Sequence, residues 1–180
     1  MVKTLDSCGH CDFCYTGNDN LCAGKAKKRS YDGIPGSGGM AQYIAVSTAR
    51  VYPMPDADID MAVAAFAEPM ACCLRSVEHA DVSFGQDVVI VGGGIMGQLH
   101  NVLCQKRGAR VFMVELDKAR AALAARMGAN VIDPTSCDAI AEIKARTGGG
   151  AHTVFLTVSL TRLAQEYIGA LRKMGKLVYY

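Results

Sequence analysis

Residues 87–97 read Asp-Val-Val-Ile-Val-Gly-Gly-Gly-Ile-Met-Gly and carry the strongest indication of the fold. Its apolar run from Val88 to Val91 is typical of a strand buried on both faces of a parallel sheet. The glycines that follow predict a tight turn, and the residues from Ile95 onward have the composition of a helix. The segment therefore predicts a strand, a glycine-rich turn and a helix in direct succession.

The alternation of strand and helix continues to the end of the sequence. Short apolar runs predict strands at 87–91, 110–115, 130–132, 153–158 and 176–180. Helical composition begins near Ile95, Lys118, Cys137 and Thr161. Glycines stand where helix C-caps belong, at Gly108, Gly128, Gly148 and Gly175. Strands that alternate with helices predict an α/β fold with a doubly wound parallel sheet.

The chain is predicted to have three regions. Residues 1–55 are rich in Gly, Cys and Pro, with a strand-like run at 41–46, and predict an irregular, mostly β domain. Residues 56–84 predict two connecting helices that meet at a break, because Pro69 disfavours helix at Glu68. Residues 85–180 form the sheet domain.

The glycine turn matches the pattern G-x-G-x-x-G, with Ile95 and Met96 between its last two glycines. Gly92 permits the tight turn, Gly94 lets the backbone approach a pyrophosphate, and Gly97 lets helix and strand pack closely. The N-terminus of the following helix offers amide N–H groups to phosphates. A dinucleotide site is therefore predicted; the alternative is that these glycines only make a strand-to-helix turn.

An acidic residue supports the dinucleotide interpretation. Glu115 ends the next predicted strand, eighteen residues beyond Gly97, close to the roughly twenty at which an acid meets the adenosine ribose. Its carboxylate would repel a 2′-phosphate, so NAD(H) is favoured over NADP(H). Asp117 is a neighbour that could share this task, while Lys118 and Arg120 are interpreted as charges on a helix face.

A cysteine loop near the start predicts a metal site. Cys8, Cys11, Cys14 and Cys22 form C-x2-C-x2-C-x7-C, a spacing typical of four thiolates that close a tetrahedral zinc site. Four protein ligands leave no open position, so this zinc would be structural. The alternatives are an iron–sulfur cluster, four unligated thiols, or a site in which His10 replaces one cysteine.

Composition limits the classes of partner. The chain has 180 residues, 51% of them hydrophobic, and a formal net charge of +2. This charge argues against nucleic acid or an anionic membrane as the main partner and favours a small molecule. The basic run at 25–29 is interpreted as a solvated face. No apolar run approaches the roughly 20 residues of a membrane span, and no signal peptide precedes the cysteines, so a cytoplasmic protein with reduced thiols is expected.

Together these motifs resemble the zinc-containing medium-chain alcohol and polyol dehydrogenases. The resemblance rests on five segments, which are CGHCDFCYTGNDNLC at 8–22, GGMAQYIAV at 38–46, AEPMACCLRSV at 67–77, VVIVGGGIMG at 88–97 and VELDKARAALAARMGANVIDP at 114–134. It implies part of a GroES-like catalytic domain followed by an incomplete Rossmann domain. The full family members are longer, so the chain is expected to be truncated at both ends and, at full length, to form a homo-oligomer.

The resemblance also implies a second, catalytic zinc. Glu68 aligns with the acid that the sorbitol and threonine dehydrogenase branches place at that zinc, which points to a polyol, sugar alcohol or amino alcohol as substrate. The family's other ligands, a cysteine and a histidine in a Gly-His-Glu stretch, lie upstream of the cysteine loop, where this chain has seven residues. Cys72 and Cys73 could supply thiolates near Glu68, but cysteines on an apolar helix are more often packing residues.

The predicted function is therefore that of an oxidoreductase fragment. The full enzyme would oxidise a secondary alcohol by hydride transfer to NAD, and this chain would bind structural zinc and NAD. The alternatives are a non-catalytic NAD-binding module, a decayed dehydrogenase, or an iron–sulfur electron carrier.

Overall fold

The chain folds into two compact units, Met1–Asp60 and Met61–Tyr180. The computed structural model describes residues 1–3, 7–24, 30–31, 34–35, 39–46, 48–56 and 58–180. Most of the region predicted to connect the domains, from residue 61 to residue 84, groups with the second unit.

The first unit contains little regular structure among its described residues. Its elements are helix α1 at Asp12–Tyr15, 3-10 turns at Asp19–Leu21 and Thr48–Arg50, and an antiparallel pair of β1 at Ser30–Tyr31 with β2 at Ile34–Pro35. The strand predicted at 41–46 is wrong, because none of these residues is in a strand. An apolar run becomes a strand only where a second strand offers hydrogen bonds, and the sequence pattern does not report that. The basic run at 25–29 lies outside the described residues.

The second unit alternates helices and strands. Its helices are α2 at Met61–Ala64, α3 at Ala67–Ala80, α4 at Ile95–Lys106, α5 at Lys118–Arg126, α6 at Ala139–Thr147 and α7 at Thr161–Tyr167. Its strands are β3 at Asp87–Val91, β4 at Arg110–Val114, β5 at Asn130–Ile132, β6 at Ala151–Leu156 and β7 at Leu171–Tyr179. In the described part of the chain, no helix has the length and apolarity to cross a bilayer.

The five strands β3 to β7 form one parallel sheet in the order β5-β4-β3-β6-β7. This arrangement confirms the predicted α/β fold with a doubly wound parallel sheet. The order reverses between β3 and β6, and ligands of such folds bind outside the carboxyl ends of the strands at this point.

Apolar side chains cover both faces of the sheet. Every residue of β3 is buried, and successive side chains point to opposite faces. Val88 and Ile90 join the cluster that includes Cys104 of α4, whereas Val89 and Val91 join the cluster on the other face. Burial on both faces is the reason why β3 reads as an unbroken apolar run.

The predicted helix break at Glu68 is wrong in position. Helix α2 ends at Ala64 and helix α3 begins at Ala67, so Glu68 and Pro69 lie in the first turn of α3. Proline is tolerated there because a first-turn N–H has no partner within the helix. The rule that proline disfavours helix at the preceding residue therefore did not apply at this position.

Gly175 is not a helix C-cap. It lies inside β7, and a Cβ added there would be 2.9 Å from the carbonyl oxygen of Ala151. The three other predicted C-cap glycines follow helices with positive φ: Gly108, Gly128 and Gly148. Gly175 is needed for close approach of two strands and not for a left-handed turn.

The imidazole of His100 is fully buried between the rings of Phe155 and Tyr180. Its nitrogens contact Met96 O at 2.8 Å and Ser76 Oγ at 3.1 Å. Burial lowers the pKa of His100 from its usual 6.5 because desolvation disfavours the charged ring.

This burial predicts a loss of stability in acid. A lowered pKa in the folded state contributes stability that is complete above the unfolded pKa and is lost as pH falls through the folded pKa. We expect the free energy of unfolding to decrease from pH 7 to pH 5 in urea titrations, and His100→Gln to flatten that slope. His79→Gln, which changes an exposed histidine on α3, is the control; an equal slope in wild type and His100→Gln would contradict the assignment.

Candidate cofactor cleft and metal site

The four cysteines of the N-terminal loop converge on one point. The sulfurs of Cys8, Cys11, Cys14 and Cys22 all lie within 4.8 Å of one another. Helix α1 places Cys11 and Cys14 one turn apart, and Cys22 follows the 3-10 turn at Asp19–Leu21. In the described part of the chain, this is the only set of three or more His, Cys, Asp or Glu side chains close enough to share a metal ion.

The sulfur positions fit a single tetrahedral ion. A zinc–sulfur bond of about 2.3 Å requires sulfurs about 3.8 Å apart in a regular tetrahedron. Three of the six sulfur pairs are close to this value, at 3.9 Å for Cys8–Cys14, 3.5 Å for Cys11–Cys14 and 3.8 Å for Cys11–Cys22, and all six are within 4.8 Å. The cluster therefore has the size that four thiolates around zinc require. His10 is not part of it, since its Nδ1 contacts the carbonyl oxygen of Cys8 at 2.7 Å.

Backbone groups and burial act differently on the four thiols. The N–H of Cys14 lowers the pKa of Cys11 to about 6, and the N–H of His10 lowers the pKa of Cys8. The N–H of Cys8 also lowers the pKa of Cys22, but burial and the adjoining thiols outweigh it and raise that pKa to about 11. A metal cation at the centre of the cluster would compensate the repulsion between neighbouring negatively charged sulfurs and favour four thiolates.

Gly24 closes the cluster from one side. A Cβ at this position would lie 3.0 Å from Cys8 Cβ and 3.3 Å from Cys8 Sγ. The backbone therefore approaches the sulfurs more closely than a larger residue would allow.

In the second unit, the turn between β3 and α4 packs without room for side chains. Gly92 has φ +104°, and its added Cβ would lie 2.7 Å from Val158 Cγ1. A Cβ on Gly97 would lie 1.9 Å from the carbonyl oxygen of Gly92. A Cβ on Gly94 would meet no described atom within 4 Å. Gly92 and Gly97 are thus required for packing, whereas Gly94 faces open space, as an approaching phosphate requires.

Glu115 lies directly beside this turn, at the carboxyl end of β4. Its Oε2 accepts a hydrogen bond of 2.6 Å from the N–H of Gly93, and its Oε1 accepts one of 2.7 Å from the N–H of Asp117. The residue is 7% exposed. Each carboxylate oxygen has two lone pairs, so Glu115 retains acceptor capacity for hydroxyl groups while the backbone fixes its orientation.

A cleft of about 860 Å³ runs along the carboxyl ends of the strands, where the strand order reverses. Gly92, Gly94 and Glu115 lie in its wall, together with residues from the ends of β4 and β6 and from α6 and α7. The fold thus brings Gly92, Gly94 and Glu115 together in one cavity. Ile95 and Met96 occupy the first turn of α4.

Sequence reasoning missed several residues of the cleft. Arg120, interpreted as a helix-face charge, lies in the cleft wall, as do Arg162 and Tyr167. Asp117, the neighbour that could share the task of Glu115, accepts a hydrogen bond from the N–H of Arg120 with its side chain and so caps α5. The position of Asp117 three residues before Arg120 is typical of a helix N-cap and could have been found in the sequence. Only the packing of α5 against the sheet shows which side of the helix faces the cleft.

Glu68 lies in the first turn of α3. Its carboxylate is exposed and lies 3.4 Å from Cys72 Sγ. Cys73 is buried, with its sulfur 3.9 Å from Tyr180 Oη. Burial raises the pKa of the Cys73 thiol, which favours the packing role over a ligand role.

Two family models match most of the chain. The one described as alcohol dehydrogenase GroES-like domain matches residues 1–56, and the one described as zinc-binding dehydrogenase matches residues 96–180. These matches correspond to the cysteine-loop unit and to the sheet domain.

Curated relatives and solved structures agree with these matches. An erythritol/L-threitol dehydrogenase of Mycolicibacterium smegmatis is 32% identical and is matched by 100% of this chain over 50% of its own length. An L-threonine 3-dehydrogenase of Caldanaerobacter subterraneus is 31% identical, over 98% of this chain and 51% of its own. A solved structure from Sinorhizobium meliloti, bound to NADP, is 28% identical with a TM-score of 0.81, over 99% of this chain and 52% of its own.

The chain spans about half the length of the curated relatives it matches. Along this half, the two family models follow one another, with the cysteine cluster in the first and most of the cleft-lining residues in the second. By this agreement of sequence, fold and site, the chain belongs to the zinc-containing alcohol and polyol dehydrogenase family.

Proposed function

We propose that this chain supplies the structural-zinc loop and the NAD site of a dehydrogenase that oxidises a secondary alcohol. The observation that carries the proposal is the placement of Glu115 against the dinucleotide turn, inside the cleft at the strand reversal. The substrate class, a polyol, sugar alcohol or amino alcohol, is supported by relatives named as erythritol/L-threitol, L-threonine and sorbitol dehydrogenases.

Each part of the chain has a defined task in this proposal. The amide groups at the start of α4 bind the pyrophosphate beside Gly94, and Glu115 accepts hydrogen bonds from the adenosine ribose. Cys8, Cys11, Cys14 and Cys22 hold the structural zinc. When bound, NAD supplies the acceptor for hydride, and a catalytic zinc lowers the pKa of the alcohol.

Glu68 is our candidate ligand for that catalytic zinc. An open catalytic zinc site needs three protein ligands. In the described part of the chain, Glu68 does not belong to any group of three His, Cys, Asp or Glu side chains that could share a metal ion. The family resemblance puts the others upstream of the cysteine loop. Activity, the homo-oligomeric state and a cytoplasmic location stay predictions for the whole protein.

Fluorescence titration of the chain with NADH and NADPH tests the cofactor proposal. We expect tighter binding of NADH, because Glu115 repels a 2′-phosphate. In Glu115→Gln, one carboxylate oxygen is replaced by an NH₂ group, which faces a backbone N–H and cannot accept its hydrogen bond. The affinity for NADH should therefore fall about tenfold or more. The affinity for NADPH should change less. The control, Asp117→Asn, keeps the cap of α5 and should leave the ratio of the two affinities unchanged.

Arg120 makes this test informative. A cation in the cleft wall could pair with a 2′-phosphate, and it lies on the same wall as Glu115. Tighter binding of NADPH than NADH by the unaltered chain would overturn the assignment to NAD. Loss of the preference for NADH over NADPH in Glu115→Gln, but not in Asp117→Asn, would support the assignment to NAD.

A non-catalytic NAD-binding module is the second candidate. It is favoured by the finding that, among the described residues, the four cysteines alone form a metal-sized group. Alcohol-dependent formation of NADH with sorbitol, threonine or 2,3-butanediol separates the two. NADH binding without any turnover of these alcohols by the protein at its full natural length would favour the module.

A further inference from the structure

A wide bulge interrupts the pairing of β6 with β7, at the end of the sheet opposite to the cofactor cleft. Ala151 pairs with Leu171 and Thr153 pairs with Lys176. One residue of β6, His152, is therefore faced by residues 172–175 of β7. Bulges of this kind re-aim side chains and are common next to functional sites.

The backbone holds this bulge tightly. Gly150 has φ +137°, and a Cβ there would lie 2.6 Å from the N atom of Arg172. Met174 has φ +66°, a left-handed conformation that residues with side chains rarely adopt. Its side chain is 97% exposed, so no burial of Met174 compensates this strain. Strained positions of this type cluster at binding sites.

The bulge brings Arg172 up to the imidazole of His152. The N–H of Asp87 donates to His152 Nδ1 at 3.0 Å. Arg172 Nη1 lies 2.6 Å from His152 Nε2, and this contact holds one end of the guanidinium in place. An arginine side chain has five N–H donors, so Arg172 keeps further N–H groups for an acceptor in the cavity.

The surrounding charges select the kind of acceptor. A cavity of about 260 Å³ is lined by Arg172, Lys173, Lys176 and His152, with Asp81 as its one carboxylate. Three cations against one carboxylate give a formal charge of +2. Lys176 is fixed at the wall by a hydrogen bond of 2.8 Å to Ala80 O, and its Nζ lies 4.0 Å from Asp81 Oδ2.

The nearby Asp87 does not neutralise this cavity. Its carboxylate is 2.6 Å from the guanidinium of Arg110, and Asp87 is absent from the residues that line the cavity. The positive charge of the bulge is therefore left for a ligand.

We propose that the cavity beneath the β7 bulge binds a phosphate group, either inorganic phosphate or the phosphate of a small phosphomonoester. Arg172 donates to its oxygens, and Lys173 and Lys176 complete the positive wall. Planar guanidinium groups and phosphate oxygens match in geometry as well as charge. The site lies at the amino ends of the strands and does not depend on the proposed dehydrogenase function.

Isothermal titration of the chain with inorganic phosphate, at constant ionic strength maintained by potassium chloride, tests this site. We expect saturable binding of one phosphate that persists in saturating NADH, because the cofactor occupies the opposite end of the sheet. Arg172→Gln should weaken it about tenfold or more. Arg126→Gln removes an exposed cation at the end of α5 and should leave the affinity unchanged.

The ¹⁵N shift of His152 Nε2 reports the site directly and should move on addition of phosphate to the unaltered chain. Glycerol phosphate, titrated in the same way, assigns the source: tighter binding than inorganic phosphate indicates a phosphomonoester ligand. The proposal is overturned if neither probe saturates, if NADH displaces phosphate, or if the double variant Arg172→Gln, Lys173→Gln binds as wild type does. An unfolded variant is recognised by circular dichroism, and in that case the ¹⁵N shift decides.

Discussion

Replacing Gly97 with alanine is expected to unfold the dinucleotide turn and to abolish NADH binding. The added Cβ would lie 1.9 Å from the carbonyl oxygen of Gly92, which belongs to the backbone and cannot rotate away. Overpacking of a tight interior typically costs about 1–3 kcal/mol and more where backbone must move. We therefore expect a loss of at least about 3 kcal/mol in the free energy of unfolding, measured by urea denaturation and circular dichroism.

Gly94→Ala is the matched control, three residues away in the same turn. Its Cβ meets no described atom within 4 Å and its φ of −67° is ordinary for alanine. The free energy of unfolding should thus stay within about 1 kcal/mol of wild type, whereas NADH affinity should be lost because the methyl group occupies the approach of the phosphates. The chain has no tryptophan, so the fluorescence of NADH reports binding without interference. Normal NADH affinity in Gly94→Ala would contradict the assigned position of the pyrophosphate.

Chelation of zinc should loosen residues 8–22 before the rest of the chain. Structural zinc contributes about 10–16 kcal/mol of apparent binding free energy in small zinc modules, and all four ligands lie within residues 8–22. We expect one zinc per chain by elemental analysis, and faster hydrogen exchange and proteolysis in residues 8–22 after chelation. Cys14→Ser should reduce zinc affinity at least about a hundredfold, more than the loss from changing a group that only hydrogen-bonds to a metal ligand.

Cys137→Ser is the control for this experiment, because Cys137 is an exposed thiol outside the cluster. It should keep the zinc content of wild type. Unchanged proteolysis after chelation would contradict a structural role for the metal. A brown protein with visible absorption would show an iron–sulfur cluster in place of zinc, although a multi-iron cluster would separate the sulfurs more widely than the 4.8 Å within which all four lie.

Helices and strands of the second unit were largely predictable because their signals are local. Strands β3 at Asp87–Val91 and β5 at Asn130–Ile132 occupy the predicted ranges, and α4, α5 and α7 begin at the predicted residues. A buried parallel strand must be apolar along its whole length. Each helix must also end before the chain returns to the sheet. Gly108 and Gly128 mark the ends of α4 and α5, because glycine readily adopts the positive φ that these positions have.

The incorrect predictions have a common origin in contacts between distant residues. The run at 41–46 has strand composition, but pairing requires a partner strand that composition cannot identify. Gly175 resembles a helix cap in sequence, yet it is a glycine because Ala151 O approaches it to 2.9 Å. By its sequence Pro69 predicts a helix break, whereas its place in the first turn of α3 depends on where that helix begins.

Residue types and spacing alone assign the four-cysteine group, the glycine turn and the acid after the next strand, because metal-ligand spacing and turn geometry act over short stretches of chain. The folded structure alone decides that backbone amides hold both oxygens of Glu115 and that Arg120 lines the cleft. It alone brings His152 and Arg172 together across the bulge. The contacts from Gly93 to Glu115 and from His152 to Arg172 join residues 22 and 20 positions apart, and such pairs are set by strand register and helix packing, which no local pattern encodes.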